Sequence, residues 1–234
     1  TLFPYTTLFR SASIKFAENM KRQVLLIVAL MLVAAGAVAQ IPANVMDVLN
    51  KCDEKMSDPK GIILDMTLKT KILIMSVNGT VKMCEKGEKS YIQMTAKAMG
   101  KEMRVEHGFD GQQDWEFAAA TSKKERDTLT ITKTNKANKD DFSLDLDVDK
   151  MYKTAKMKEK GLYYEISLSD RIDPQAPKKM SLKIAKNNYN LREVVYSEGG
   201  AKITMTVTKI THGCSDSWFK LDMNRYKNAV VVRK

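Results

Sequence analysis

The chain has 234 residues, 39 Lys and Arg against 28 Asp and Glu, and a formal net charge of +11. A basic chain invites a nucleic-acid reading, but the lysines are spread among carboxylates, with no Arg-rich arm and no interleaving of aromatic and basic residues, so no nucleic-acid partner is expected. Two histidines and three cysteines of unpatterned spacing leave little for acid–base or zinc catalysis.

Thr1 to Ser11 read TLFPYTTLFRS, the in-frame translation of a common sequencing-library adapter, and residues 1–19 are set aside as an upstream artefact. Residues 20–39 have the parts of a secretory signal peptide. Met20-Lys21-Arg22 is the basic start, Val24 to Val33 the apolar run, and Ala37-Val38-Ala39 the small-x-small cleavage signal, so the mature chain is expected to begin at Gln40. The apolar run is too short for a comfortable membrane span. No cysteine follows the cut, which points to a soluble exported protein that is not itself a lipoprotein. Removing residues 1–39, which carry a net +3, leaves one expected domain over 40–234, 195 residues with a charge of +8. Such an exterior suits anionic membrane surfaces or an acidic partner patch, or simply a solvated face.

One helix opens the mature chain. Val45, Val48, Leu49, Cys52 and Met56 recur at helical spacing on one stripe, Pro42 suits the first turn, and Ser57-Asp58-Pro59-Lys60-Gly61 ends it. The period then changes to two. Ile62, Leu64, Met66 and Leu68 alternate with Ile63, Asp65, Thr67 and Lys69. Asn78-Gly79 and Gly87-Glu88 read as hairpin turns. Ser90, Ile92, Met94 and Ala96 share a face, as do Met103, Val105, His107 and Phe109, with Glu102, Arg104 and Glu106 opposite. Asp110-Gly111 turns into a strand holding Trp115 and Phe117, and Leu129 and Ile131 alternate with threonines. Thr134 to Asp141 is a lysine-rich loop, and the alternation of Phe142, Leu144, Leu146 and Val148 reads as strand-like or as an extended crossing segment. Strands return at Tyr152–Lys158, Leu162–Ser169, Met180 to Ile184, Tyr189–Tyr196 and Ala201 to Val207, with turns at Lys160-Gly161, Asn187-Asn188 and Gly199-Gly200.

The fold class predicted is mainly β with few helices: roughly ten antiparallel strands in a single curved sheet, an unclosed half-barrel covered by the N-terminal helix. A sheet this long with one apolar side must curl around something, and one helix is too small to fill it. The expected concave face is Leu64, Met66, Leu68, Met94, Met103, Val105, Trp115, Phe117, Met180, Leu182, Ile184, Ile203, Met205 and Val207, beneath a lid formed by Val45, Val48, Leu49, Cys52 and Met56. The mature chain keeps thirteen methionines. Methionine fills irregular space without specifying one shape, which serves either an ordinary core or a deformable apolar groove.

The opening helix, the segment Phe109-Asp110-Gly111-Gln112-Gln113-Asp114-Trp115-Glu116-Phe117, and the succession from Tyr163-Tyr164-Glu165 through the Pro loop to Trp218-Phe219-Lys220-Leu221 together resemble the LolA-type periplasmic carriers of outer-membrane lipoproteins, in a Bacteroidetes-like form. The resemblance runs over most of residues 41–231. It implies an unclosed barrel lidded by helices, located in the periplasm, that shuttles acylated lipoproteins without catalysis. It also implies an inner-membrane lipoprotein-releasing transporter and an outer-membrane acceptor as partners, and a monomer is expected. Relatives often latch the lid with an arginine near the third hairpin. Here Val81 to Lys89 lacks one, leaving Lys86 or Lys89 as substitutes. One sixteen-carbon chain could gain on the order of 12 kcal/mol by burial, and three held perfectly would exceed the practical affinity ceiling near ~20 kcal/mol. A carrier therefore needs an incomplete, adaptable groove.

No enzyme, cofactor or metal is expected. No serine has a nucleophile-elbow context and no glycine loop could cradle phosphate. Asp145, Asp147 and Asp149 lack the glycine of a calcium loop. His107 is expected to be a satisfied, partly buried histidine, and Asn78-Gly79-Thr80 a turn rather than a glycosylation site. For Cys52, Cys84 and Cys214, one disulfide with a free thiol and three buried thiols are both open in an exported chain. Two other functions compete with a carrier: a lipid- or lipoprotein-sensing module of the same architecture, and a structural β-domain with a dry core.

Overall fold

A computed structural model describes residues 41–72, 75–98, 101–122, 125–133, 148–174 and 176–234. The adapter-like stretch, the signal peptide, the loop from Thr134 to Asp141 and the alternation from Phe142 to Asp147 lie outside the described residues. Among the described residues, no helix is long and apolar enough to cross a membrane.

Helix α1 spans Ala43–Met56, and its five expected apolar residues are all buried. Pro42 sits at the N-cap, where its missing N–H costs nothing and its carbonyl accepts from the Val45 amide at 2.9 Å. The helix stops at the extended Ser57, and Asp58 then closes a turn by accepting from the Lys60 amide at 2.8 Å.

The strands are β1 (Ile62–Ile72), β2 (Met75–Lys86), β3 (Lys89–Ala98), β4 (Lys101–Phe109), β5 (Gln113–Ala118) and β6 (Thr128–Lys133). After a short helix α2 (Val148–Met151) come β7 (Tyr152–Lys160), β8 (Tyr163–Arg171), β9 (Lys179–Ala185), β10 (Leu191–Glu198) and β11 (Ala201–His212). Two 3-10 turns, Asp216–Phe219 and Met223–Tyr226, lead to β12 (Val230–Arg233). All twelve form one sheet in the order β12-β6-β5-β4-β3-β2-β1-β11-β10-β9-β8-β7. Two hairpin meanders, β1 to β6 and β7 to β11, join where β1 pairs along its whole length with β11. β12 and β7 remain as separate edges, so the sheet is unclosed.

The sheet must curl. Twelve strands would span about 50 Å if flat, against about 10 Å for a helix. Yet α1 packs on the edge strand β7 and shares one continuous core with residues from β1 to β4 and from β7 to β11. The face that α1 covers is called inner below.

Three expectations are corrected. Asn78-Gly79 is not a turn: β2 runs straight through it, and the chain reverses between the paired residues Ile72 and Met75. Gly79 is a close-approach glycine, since a Cβ there would collide with the Thr95 carbonyl oxygen and press on Ala96 in β3. Val77 and Val81 on either side continue the buried period-two pattern, which outweighs the local turn signal. Val148 starts a helix rather than closing a strand. Finally, the end of the chain adds β12, which pairs parallel to β6, a contact that no local pattern announces.

Candidate functional site: the inner wall of the sheet

The sheet carries two cores of different chemistry. The inner one is aliphatic and rich in methionine: Met56, Met66, Met83, Met94, Met103, Met151, Met180 and Met205 are all buried in it. The other contains no methionine among the described residues. It is built from Tyr91, Trp115, Phe117, Leu129, Ile131 and Cys84, covered by Phe219 and Tyr226 from the C-terminal segment.

Most of the expected wall is brought together. Leu64, Met66 and Leu68 of β1, Met94 of β3, Met103 of β4, Met180, Leu182 and Ile184 of β9, and Ile203, Met205 and Val207 of β11 are buried in the inner core with Val45, Val48, Leu49, Cys52 and Met56 of α1. Val105, partly buried, packs against it. Two buried hydroxyls, Thr70 Oγ1 and Ser90 Oγ, also lie on this face and have no hydrogen-bond partner among the described residues. Helix α1 lies toward the β7–β10 wing, with Lys51 Nζ 5.2 Å from the centre of the Tyr189 ring. Burial raises the Cys52 thiol to about 12, and it remains protonated.

Trp115 and Phe117 are not part of this wall. Paired residues of an antiparallel ladder share a face. Val105 pairs with Ala118, His107 with Glu116 and Phe109 with Asp114, so β5 turns its polar side inward. Trp115 pairs instead with Gly108, against which its indole lies, and Phe117 with Glu106. β6 follows the same inversion: Thr128, Thr130 and Thr132 pair with Ala118, Glu116 and Asp114, while Leu129 and Ile131 face out. The apolar wall therefore ends at β4 and gives way to a polar shelf. There His107, partly buried as expected, holds Nε2 3.0 Å from both Asp114 carboxylate oxygens.

The outer core contains the residue that sequence reasoning missed. Glu106 is fully buried. Its carboxylate accepts hydrogen bonds from the hydroxyls of Tyr91 at 3.0 Å and Tyr226 at 2.5 Å. It also pairs with Arg104 and, at 3.1 Å, with Arg225. No motif marks it, because three of these four partners come from other strands or turns. Lys86 and Lys89, the substitutes considered for the missing latch arginine, both face the C-terminal segment instead. They pair with Asp216 of the C-terminal segment, at 2.9 and 3.9 Å.

No group of three or more metal-ligating side chains occurs among the described residues. No protein-family model and no curated protein matches the chain. Solved structures do resemble it. An uncharacterised conserved protein from Thermus thermophilus aligns with 82% of this chain and 99% of its own, at 13% identity and TM-score 0.48. The LolA superfamily protein NE2245 from Nitrosomonas europaea aligns over 80% and 99%, at 13% identity and TM-score 0.39. A chain of the MucA/MucB complex from Pseudomonas aeruginosa aligns over 77% of this chain and 62% of its own length, at 10% identity and TM-score 0.43. At these identities and scores, the fold assignment rests on the strand order and the two cores.

Proposed function

We propose that the protein is a periplasmic carrier that binds the acyl chains of lipoproteins against the inner wall and moves them from the inner to the outer membrane without catalysis. The observation that supports this is the segregation of methionine: eight are buried in the inner core and none, among the described residues, in the outer one. A core that needs only to be stable can be built from stiffer side chains, as the outer one is from aromatic rings. A wall of flexible thioethers can repack around chains of varying conformation and release them again. In this reading α1 is the movable cover, and the polar shelf of β5 and β6 takes the wet part of the cargo. The donor is an inner-membrane lipoprotein-releasing transporter and the recipient an outer-membrane acceptor.

The test is displacement of a long-chain fluorescent fatty acid from the purified protein by a synthetic triacylated lipopeptide, with the same peptide lacking acyl groups as control. Saturable displacement by the acylated form alone is expected. Failure of the protein to bind either the probe or the lipopeptide would sink the proposal. Release of the bound lipopeptide to acceptor vesicles separates a carrier from a sensor, which would retain it.

A further inference from the structure

The fold separates the three thiols. Cys52 is buried under the inner wall in α1, whereas Cys84 and Cys214 belong to the outer core. Cys84 lies on β2, where its ladder partners Ile63 and Tyr91 place it on the outer face. Cys214 follows β11, beyond Gly213 and outside the strand pairing. Its amide donates to the Lys60 carbonyl at 2.9 Å, and its thiol to the carbonyl of Glu85, the residue next to Cys84, at 3.7 Å. Between them, just ahead of β1, lies the buried Gly61. A Cβ there would collide with the Cys214 sulfur and lie 2.8 Å from the Glu85 carbonyl oxygen. The missing side chain is what lets the sulfur pass over Gly61 to reach the end of β2. There it lies beside the residue next to Cys84, and both cysteines pack in the same outer core.

We propose that Cys84 and Cys214 form a disulfide site, oxidised by thiol–disulfide exchange with a small-molecule or protein disulfide. The partly exposed Cys214 reacts first: its thiolate attacks the donor disulfide, forming a mixed disulfide and releasing one donor thiol. The Cys84 thiolate then attacks the Cys214 sulfur and releases the second donor thiol. Two protein thiols are oxidised and one donor disulfide is reduced, with both protons passing to the leaving thiolates. Burial, together with the neighbouring Cys214 thiol, raises Cys84 far above the ordinary thiol range, which makes the second step the slower one and accelerates it with pH. The bond would tie the root of the C-terminal segment, which brings Phe219 and Tyr226 to the outer core, to β2. Cys52, on the other side of the sheet, has no such partner. This site is independent of what the inner wall binds.

The test is to expose the purified protein to oxidised glutathione, quench with acid, denature, alkylate with a maleimide and map the peptides by mass spectrometry. One alkylated thiol, Cys52, and a cross-link joining the Cys84 and Cys214 peptides are expected. Cys84→Ser should arrest with glutathione on Cys214, and Cys214→Ser should leave Cys84 reduced. A cross-link that includes Cys52, or three alkylated thiols after prolonged exposure at mildly alkaline pH, would overturn the assignment.

Discussion

Glu106 shows what a single buried charge requires. Placed without partners on the aromatic side of the sheet, its carboxylate would cost several kcal/mol. Two hydroxyls and two guanidinium groups converge on it instead. Both arginines remain partly exposed, so removing the carboxylate mainly strands the Tyr91 and Tyr226 hydroxyls. Glu106→Ala should therefore destabilise the protein by about 3 kcal/mol, and Glu106→Gln, which keeps one acceptor oxygen, by about half that. Urea unfolding measures both. The same cluster sets an alkaline limit. Burial is the main reason that the Tyr91 hydroxyl is raised to about 12, and burial with the adjacent Glu106 raises Tyr226 further. A group whose folded pKa lies above its unfolded value contributes stability that is intact below the unfolded pKa and lost as pH rises through the folded one. Stability from these tyrosines should hold up to about pH 10 and decline toward about pH 12. Tyr226→Phe should show a shallower decline over that window when unfolding is followed across pH.

At the scale of elements, α1 owes its place to one stripe. Its helical propensity alone would not hold fourteen residues in water; the burial of Leu49 and its neighbours does. Leu49→Ala should cost about 3 kcal/mol through lost transfer energy and the cavity left behind, whereas Lys51→Ala, which removes an exposed pair with Asp47 and the contact with the Tyr189 ring, should cost far less. Chemical denaturation of the two variants side by side checks the contrast. The sheet edges are protected unequally. β7 carries Lys153, Lys156, Lys158 and Lys160, a row of charges that discourages pairing with another chain. β12 instead shows Val230, Val231 and Val232, each about two-fifths exposed; it is short, which limits the ladder that it can offer.

For the whole molecule, the decisive property is that the apolar side of the sheet changes face. From β4 across β1 to β7 it points inward to α1; on β5 and β6 it points outward and is sealed by the C-terminal segment. The inner wall is thereby bounded by polar residues, and Val105 stands at the boundary, partly buried. Val105→Glu places a charge where an acyl chain would enter while disturbing little packing. It should lower affinity for a long-chain fluorescent fatty acid about tenfold or more, equivalent to about 1.4 kcal/mol, with less than about 1 kcal/mol lost in stability. Unchanged binding in a folded Val105→Glu protein would place any acyl site elsewhere.

Local periodicity was enough to determine several parts of this molecule: the α1 stripe, the alternation of Ile62, Leu64, Met66 and Leu68, the turns at Gly87-Glu88, Asp110-Gly111, Lys160-Gly161, Asn187-Asn188 and Gly199-Gly200, and a long unclosed antiparallel sheet. These depend on neighbours a few residues apart, whose spacing is written in the chain. Alternation along β5 also showed that Trp115 and Phe117 share a face, but which face was decided by the Gly108–Trp115 register with β4. In the same way, the meeting of β1 with β11, the partners of Glu106, the crossing of Cys214 over Gly61 and the strand passing through Asn78-Gly79 arose only in the tertiary structure. Each depends on residues far apart in sequence whose pairing lowers the free energy once both are in place, and a period of two is blind to which side of a sheet will be covered.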